Sequence, residues 1–239
     1  MYSLEDIKVT LINADEVNQF VKRHGEVACI CYATDRKFAD KVGLSCLREG
    51  HTSGSRGDFF KFEIECPRFT ADQIMRHQVG TFMNCQSQRY VDMDDNFSIY
   101  VPPKVMRNGE LLSKYYQYEE MCKAQYIINR QMFNELGITG EQANDLMRTM
   151  LPIGVKTKLV IGFTFEALEN FMLKRLCVRA DEPIRHVAKL MKEEVQKVTN
   201  VYDEFFVPNC EKLMFCPEFH SCGKAISKKE LQNRLKGGN

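Results

Sequence analysis

The chain has 239 residues, of which 27% are charged, and its 33 Lys and Arg against 32 Asp and Glu give a formal net charge of +1. That length can bury a full core, while so neutral a balance gives no bulk attraction to nucleic acid or to a membrane surface, and no apolar run is long enough to cross a bilayer. The N-terminus Met1-Tyr2-Ser3-Leu4-Glu5-Asp6 lacks the basic and apolar regions of a secretory leader, so the 10 cysteines point to reduced thiols or a metal site in a cytoplasmic protein.

Taken in order, Ile7 to Asn13 is β-branched and ends on a turn residue, the pattern of a strand. Asp15-Glu16 open a short helix through Val21, and Ala28 to Tyr32 is a small-residue apolar run. A charged helix follows from about Asp35 to Arg48, then a polar, glycine-rich loop from Gly50 to Asp58. Phe59 to Cys66 alternates apolar and charged residues, as a strand with one wet face does. Thr70 to His77 reads as a helix with Thr70 as N-cap.

Residues 76–90 (RHQVGTFMNCQSQRY) follow neither helical nor strand periodicity. They concentrate Arg76, His77, Ser87, Arg89 and several amides, a set suited to an anionic or nucleotide ligand. Glu110 to Leu136 is a long helix whose Leu, Tyr, Met and Ile stripe reads as core. A helix from Gly140 to Met150 stops at Pro152, Val155 to Phe165 is a buried strand, and helices follow over Glu166 to Arg175 and Pro183 to Phe205. The tail after Gly223 is Lys-rich, glycine-ended and frayed. These elements predict one α+β domain over 1–208, with a cysteine-containing tail over 209–239.

Three arginine-bearing segments are candidates for one anion site: Arg76 with Arg89, Arg148 ahead of Pro152, and Arg175 at a helix end. Ser87 has no His or acid spaced to activate it, so it reads as a hydrogen-bond donor rather than a nucleophile. Cys210, Cys216 and Cys222, with five residues between each and the next, could hold a structural zinc, with Cys177 or His220 as a fourth partner. Ordinary thiols are the other reading.

Gly50-His51, Gln73 with Arg76-His77, Ser87-Gln88-Arg89-Tyr90, Arg148 before Leu151-Pro152, and Asn170-Phe171 running to Arg175 occur in the order seen in the flavin-dependent thymidylate synthases. The chain resembles that family from about residue 7 to about 205. The resemblance implies the family's fold, a central mainly antiparallel sheet with long helices, and a homotetramer. It implies conversion of dUMP to dTMP with methylenetetrahydrofolate as one-carbon donor, FAD as the hydride source and NADPH as its reductant.

By the same resemblance, Ser53, Arg76, His77, Gln78, Cys85 and Asn170 belong to the flavin site. Gln73, Arg76, Gln86, Ser87, Gln88, Arg89 and Arg148 belong to the dUMP site, and Arg175 pairs with the uracil ring and polarises it. The family's Arg-His-Arg, seven residues, then Ser becomes here Arg76-His77-Gln78, eight residues, then Ser87. Its Asn-x-Arg becomes Thr164-Phe165-Glu166, its usual glutamate is Cys85, and its Pro-x-Glu-His becomes Gly54-Ser55-Arg56-Gly57, where Arg56 returns a charge. These departures gather on the flavin side, so a second reading is hydroxymethylation of a pyrimidine nucleotide, with water completing the reaction. A third is a zinc-stapled nucleic-acid-binding module, which the neutral charge opposes.

Overall fold

The computed structural model describes residues 1–93 and 97–236. Four strands, β1 (Lys8–Leu11), β2 (Phe60–Pro67), β3 (Thr81–Cys85) and β4 (Lys156–Phe163), form one sheet in the order β1-β2-β4-β3. Gln86 N–H bonds Lys158 O, and Thr164 N–H bonds Gly80 O. As one strand's numbers rise the other's fall, so β3 and β4 run antiparallel. The helices are α1 (Ala14–Cys31), α2 (Ala39–Arg48), α3 (Arg68–Ile74), α4 (Pro103–Met106), α5 (Gly109–Glu135), α6 (Gly140–Met147), α7 (Phe165–Arg175), α8 (Glu182–Gln196), α9 (Asn209–Leu213) and α10 (Lys228–Lys236). The α+β expectation with a small antiparallel sheet holds.

The chain gathers into two compact units that interleave along the sequence. The first comprises Met1–Lys8, Glu63–Arg76 and Met83–Val160; the second comprises Val9–Phe62, His77–Phe82 and Ile161–Asn239. Every strand gives residues to both units.

In the first unit Met93, Phe97, Ile99, Tyr126, Met147 and Val155 form the apolar cluster. Helix α5 bonds into it through buried Glu119, whose Oε1 accepts from Ile99 N–H at 2.8 Å. The long stripe on α5 is not core, however. Only Glu119 and Tyr126 are buried, while Met121, Ile128 and Met132 are exposed. The helical period was legible, but nothing among the described residues of this unit covers that side.

The second unit is built on aromatic rings. Phe20 meets Phe60 at 5.1 Å and Phe165 at 5.9 Å, and Phe60 meets Tyr202 at 5.2 Å. The Tyr202 hydroxyl donates to Val17 O at 2.9 Å, so this ring is buried without an unpaired polar group. Helix α1 does not stop near Val21 but continues through Gly25 to Cys31. A Cβ on Gly25 would meet Ala39 O at 1.8 Å, and one on Gly43 would meet Val21 O at 2.1 Å. The two glycines let the backbones of α1 and α2 touch.

Three further expectations are corrected. Pro67, not Thr70, precedes the first turn of α3, and Thr70 is buried within that helix. Helix α8 ends at Gln196 rather than Phe205. The tail after Gly223 forms α10 rather than fraying through its whole length; its glycine end, 237–239, lies outside the described residues.

Candidate functional site

In the second unit, β4 delivers the chain to Thr164, whose hydroxyl accepts from Ala167 N–H and caps α7. Thr164 N–H donates to Gly80 O at 2.8 Å. Gly80 has φ +71, and a Cβ there would come within 2.6 Å of Thr164 Oγ1, so only glycine serves at this close approach. The contact fixes residues 77–80 against the start of α7.

His77 is half-buried and packs edge-on against Phe171 with ring centroids 4.9 Å apart. Arg175 Nε–H donates to its Nε2 at 3.1 Å. Burial, then the charges of Arg175 and Lys174, push the imidazole down from 6.5 to about 4. A guanidinium offers no lone pair, so Nε2 must be bare and the neutral ring carries its proton on Nδ1.

The loop at Thr52–Arg56 belongs to the same unit. Ser55 Oγ–H bonds Thr52 O at 2.8 Å and tightens the loop, leaving Ser53 exposed. Thr52 Oγ1–H donates to Glu166 Oε1, and Arg56 Nη2 pairs with the same carboxylate at 3.6 Å. The anion that stands where the resemblance expects a cation is thus answered by Arg56. Beneath the loop His24 is buried, and neither of its ring nitrogens makes a hydrogen bond of ordinary geometry among the described residues. Burial lowers its pKa, against the opposing influence of the His51 main chain and Asp58. Gln78 and Asn170 are exposed.

The first unit carries the nucleotide candidates. After β3, Ser87 starts a turn: its hydroxyl accepts from Arg89 N–H at 3.3 Å, and its carbonyl accepts from the main chain of Tyr90 and Val91. Arg89 pairs with Glu141 through Nη2 and approaches Asp145 Oδ1 at 3.4 Å through Nε. Arg148 Nη2 reaches Asp145 Oδ1 at 2.8 Å. Two of the predicted arginines therefore meet through a carboxylate of α6. Among the described residues no ion pair joins Arg76 to them. Arg76 is exposed just beyond α3, Gln73 is half-buried on α3, and Gln88 is half-buried in the turn.

Cys85 sits between Arg68 Nη1 at 3.6 Å and Thr157 Oγ1 at 3.7 Å. Gln86, Glu65, Lys156, Thr157, Lys158 and Phe97 are among the walls of a cavity of about 430 Å³ in this unit, a size that suits a small ligand. Sequence reasoning missed Glu141, Asp145 and Lys158. It also missed Arg130, which bonds Asn144 Oδ1 at 2.7 Å and the Tyr126 hydroxyl at 2.9 Å. The i, i+4 spacing of Glu141 and Asp145 on one helix face was the available signal.

Cys210, Cys216 and Cys222, and with them Cys177, line one small cavity of the second unit. As the side chains stand, no group of three or more His, Cys, Asp or Glu among the described residues is arranged to hold a metal ion. His220 is exposed, with its carbonyl accepting from Arg179.

A model of the family described as Thymidylate synthase complementing protein matches residues 15–200. Among curated proteins, the flavin-dependent thymidylate synthase of Nitratidesulfovibrio vulgaris is 33% identical over 183 residues, 75% of this chain and 74% of that protein. That of Pyrococcus horikoshii is 34% identical over 182 residues, 72% of this chain and 70% of that protein. In fold, the chain is similar to a UMP/dUMP methylase, PolB, from Streptomyces cacaoi, solved bound with 5-Br dUMP. The TM-score is 0.64 at 19% identity, covering 86% of this chain and 97% of that one.

Proposed function

This chain belongs to the thymidylate synthase complementing protein family, that of the flavin-dependent thymidylate synthases, and from that premise we propose that it converts dUMP to dTMP. Methylenetetrahydrofolate is the one-carbon donor and NADPH the reductant, as the resemblance implies. The observation that carries the nucleotide half is the meeting of Arg89 and Arg148 at Asp145. Two guanidiniums held a fixed distance apart suit a phosphate, which can accept from both. Ser87 adds a hydroxyl whose proton is not committed to the Arg89 main chain. Gln86 reaches from the same turn to the cavity wall, and Gln73, Arg76 and Gln88 complete the nucleotide set.

The flavin half rests on the second unit. His77, neutral and with Nε2 engaged by Arg175, keeps an Nδ1–H donor. Ser53, Gln78 and Asn170 present uncharged hydrogen-bonding groups at the surface. This donor and acceptor set fits a ring edged with imide and amide groups. When bound, reduced FAD supplies the hydride that completes the methyl group. The protein's own part is to orient the base, exclude water and stabilise charge on it: Arg175 polarises the uracil ring, and His77 fixes the plane of its guanidinium.

The altered flavin side supports a second reading, hydroxymethylation of a pyrimidine deoxynucleotide. Glu166, tied to Thr52 and Arg56, puts an anion where the resemblance implies a cation. The exposed apolar residues of α5 support a homotetramer, the assembly implied by the resemblance. The boundary at 208 is supported by the matched span ending at 200. Among the described residues no helix is long and apolar enough to cross a membrane; a cytoplasmic location remains the proposal. An absorbance spectrum of the purified protein tests the flavin half: a bound-flavin band is expected, and a colourless protein that takes up no added FAD contradicts it.

A further inference from the structure

We propose that Arg130 is a positioning residue for the substrate phosphate. It clamps the turn that carries Arg89 to helix α6, which carries Asp145 and leads into Arg148. The proposal rests on the reading that Arg89 and Arg148 bind that phosphate, and it gives Arg130 no contact with the substrate.

Arg130 projects from α5 with its side chain 13% exposed, and its Nη1 pairs with Asp92 Oδ2 at 2.7 Å. Nη2 donates to Asn144 Oδ1 at 2.7 Å and to the Tyr126 hydroxyl at 2.9 Å. The same cation stands 5.4 Å from the centre of the Tyr126 ring. Tyr126 lies on α5 itself, so it steadies the guanidinium. Asp92 and Asn144 belong to the pieces that must be aligned. Asp92 comes three residues after Arg89, directly beyond the turn in which Ser87 O accepts from Tyr90 and Val91. Asn144 is buried on α6, beside Asp145. All of these residues belong to the first unit.

The direct contacts between turn and helix do not fix this spacing by themselves. The side chains of Arg89, Glu141, Asp145 and Arg148 are 43% to 46% exposed, and ion pairs so open to water hold little. The apolar cluster brings the pieces together, since Met93, next to Asp92, and Met147, next to Arg148, pack in it with Tyr126. Apolar packing is not directional, however. A guanidinium is: its planar fork offers donors in fixed directions, and its charge persists at any working pH. Removing one partner from a largely buried charge is strongly unfavourable, which holds the three elements in one register. Arginines already set at the right separation need not be ordered when the phosphate arrives.

Calorimetric titration of the full-length protein with dUMP and with deoxyuridine reads the phosphate's share as the ratio of the two affinities. Arg130→Met should lower that ratio about tenfold, the cost of ordering two long side chains on binding, with deoxyuridine affinity unchanged. Asn144→Ala, which cuts only the arm to α6, should lower it in the same direction. Tyr126→Phe removes a hydrogen bond of the same guanidinium within α5, and should reduce stability while leaving the ratio as it was. The proposal is overturned if either Arg130→Met or Asn144→Ala leaves the ratio unchanged, or if Tyr126→Phe lowers it as far as they do. Should Arg130→Met fail to fold, Asn144→Ala and Tyr126→Phe decide between them. An unaltered protein that binds dUMP no tighter than deoxyuridine contradicts the phosphate reading itself, so the two failures are distinct.

Discussion

Arg175 donates Nε–H to Nε2 of His77 across 3.1 Å, so a permanently charged group and a neutral imidazole are held as one unit. Burial of the ring, and then the charges of Arg175 and Lys174 that a protonated His77 would face, bring its pKa down to about 4. The unfolded chain takes up the proton first as pH drops below 6.5. Stability from this pair is therefore complete above about 6.5 and is lost progressively as pH falls toward 4. The thermal midpoint should decline across that window, and His77→Gln, which keeps a neutral acceptor for Arg175, should flatten part of the decline. An unchanged acid limb in that variant would count against the pair.

Arg89 and Arg148 share Asp145, and each is proposed to bind the substrate phosphate. Charge-assisted hydrogen bonds are worth about 1.5–3 kcal/mol, so Arg148→Ala should weaken dUMP roughly tenfold to a hundredfold. Affinity for deoxyuridine, which lacks the phosphate, should hardly change. Calorimetric titration with both ligands separates a phosphate role from general damage, because damage would weaken both alike.

Glu166 and Arg56 form a pair that reverses the charge order the resemblance implies at these positions. Their side chains are 46% and 67% exposed, so the pair contributes little to stability, under about 1 kcal/mol. Its effect should show in flavin retention instead. Glu166→Arg alone should weaken FAD binding by setting two cations together, and Arg56→Glu with Glu166→Arg should restore most of it. Fluorescence titration giving strictly additive single and double effects would remove the coupling.

Gly43 and Gly25 let α1 and α2 touch backbone to backbone. Gly43→Ala would drive a methyl group to 2.1 Å from Val21 O, and overpacking of this kind costs about 1–3 kcal/mol. The urea midpoint should fall accordingly, with the far-ultraviolet dichroism of the folded protein preserved. A midpoint equal to the unaltered protein's would mean that the helices separate freely.

These particulars mark what the sequence could convey. The strand alternation of Phe59 to Cys66 and the apolar run of β4 were legible because both patterns are local. Strand β3 was not: Phe82 lies over Gly162, where a Cβ would come within 2.1 Å of its ring, so the residue that admits the strand stands eighty positions away. The helix opened by Asp15-Glu16 read as ending near Val21 for the same reason, since α2, which makes use of Gly25, is a separate element. Of the arginines read as candidates for one site, Arg89 and Arg148 do meet, at Asp145. Their carboxylate partners were not legible, because Glu141 and Asp145 look like any solvated helix face until Arg89 is folded against them.

The most direct measurement is the mass of the nucleotide formed from dUMP by the purified protein with methylenetetrahydrofolate, FAD and NADPH. A product heavier than dUMP by one methylene group, appearing only when flavin and reductant are both present, is predicted. A product heavier by a methylene group and an oxygen would contradict dTMP formation in favour of hydroxymethylation, and unchanged dUMP with a flavin-loaded protein would contradict both.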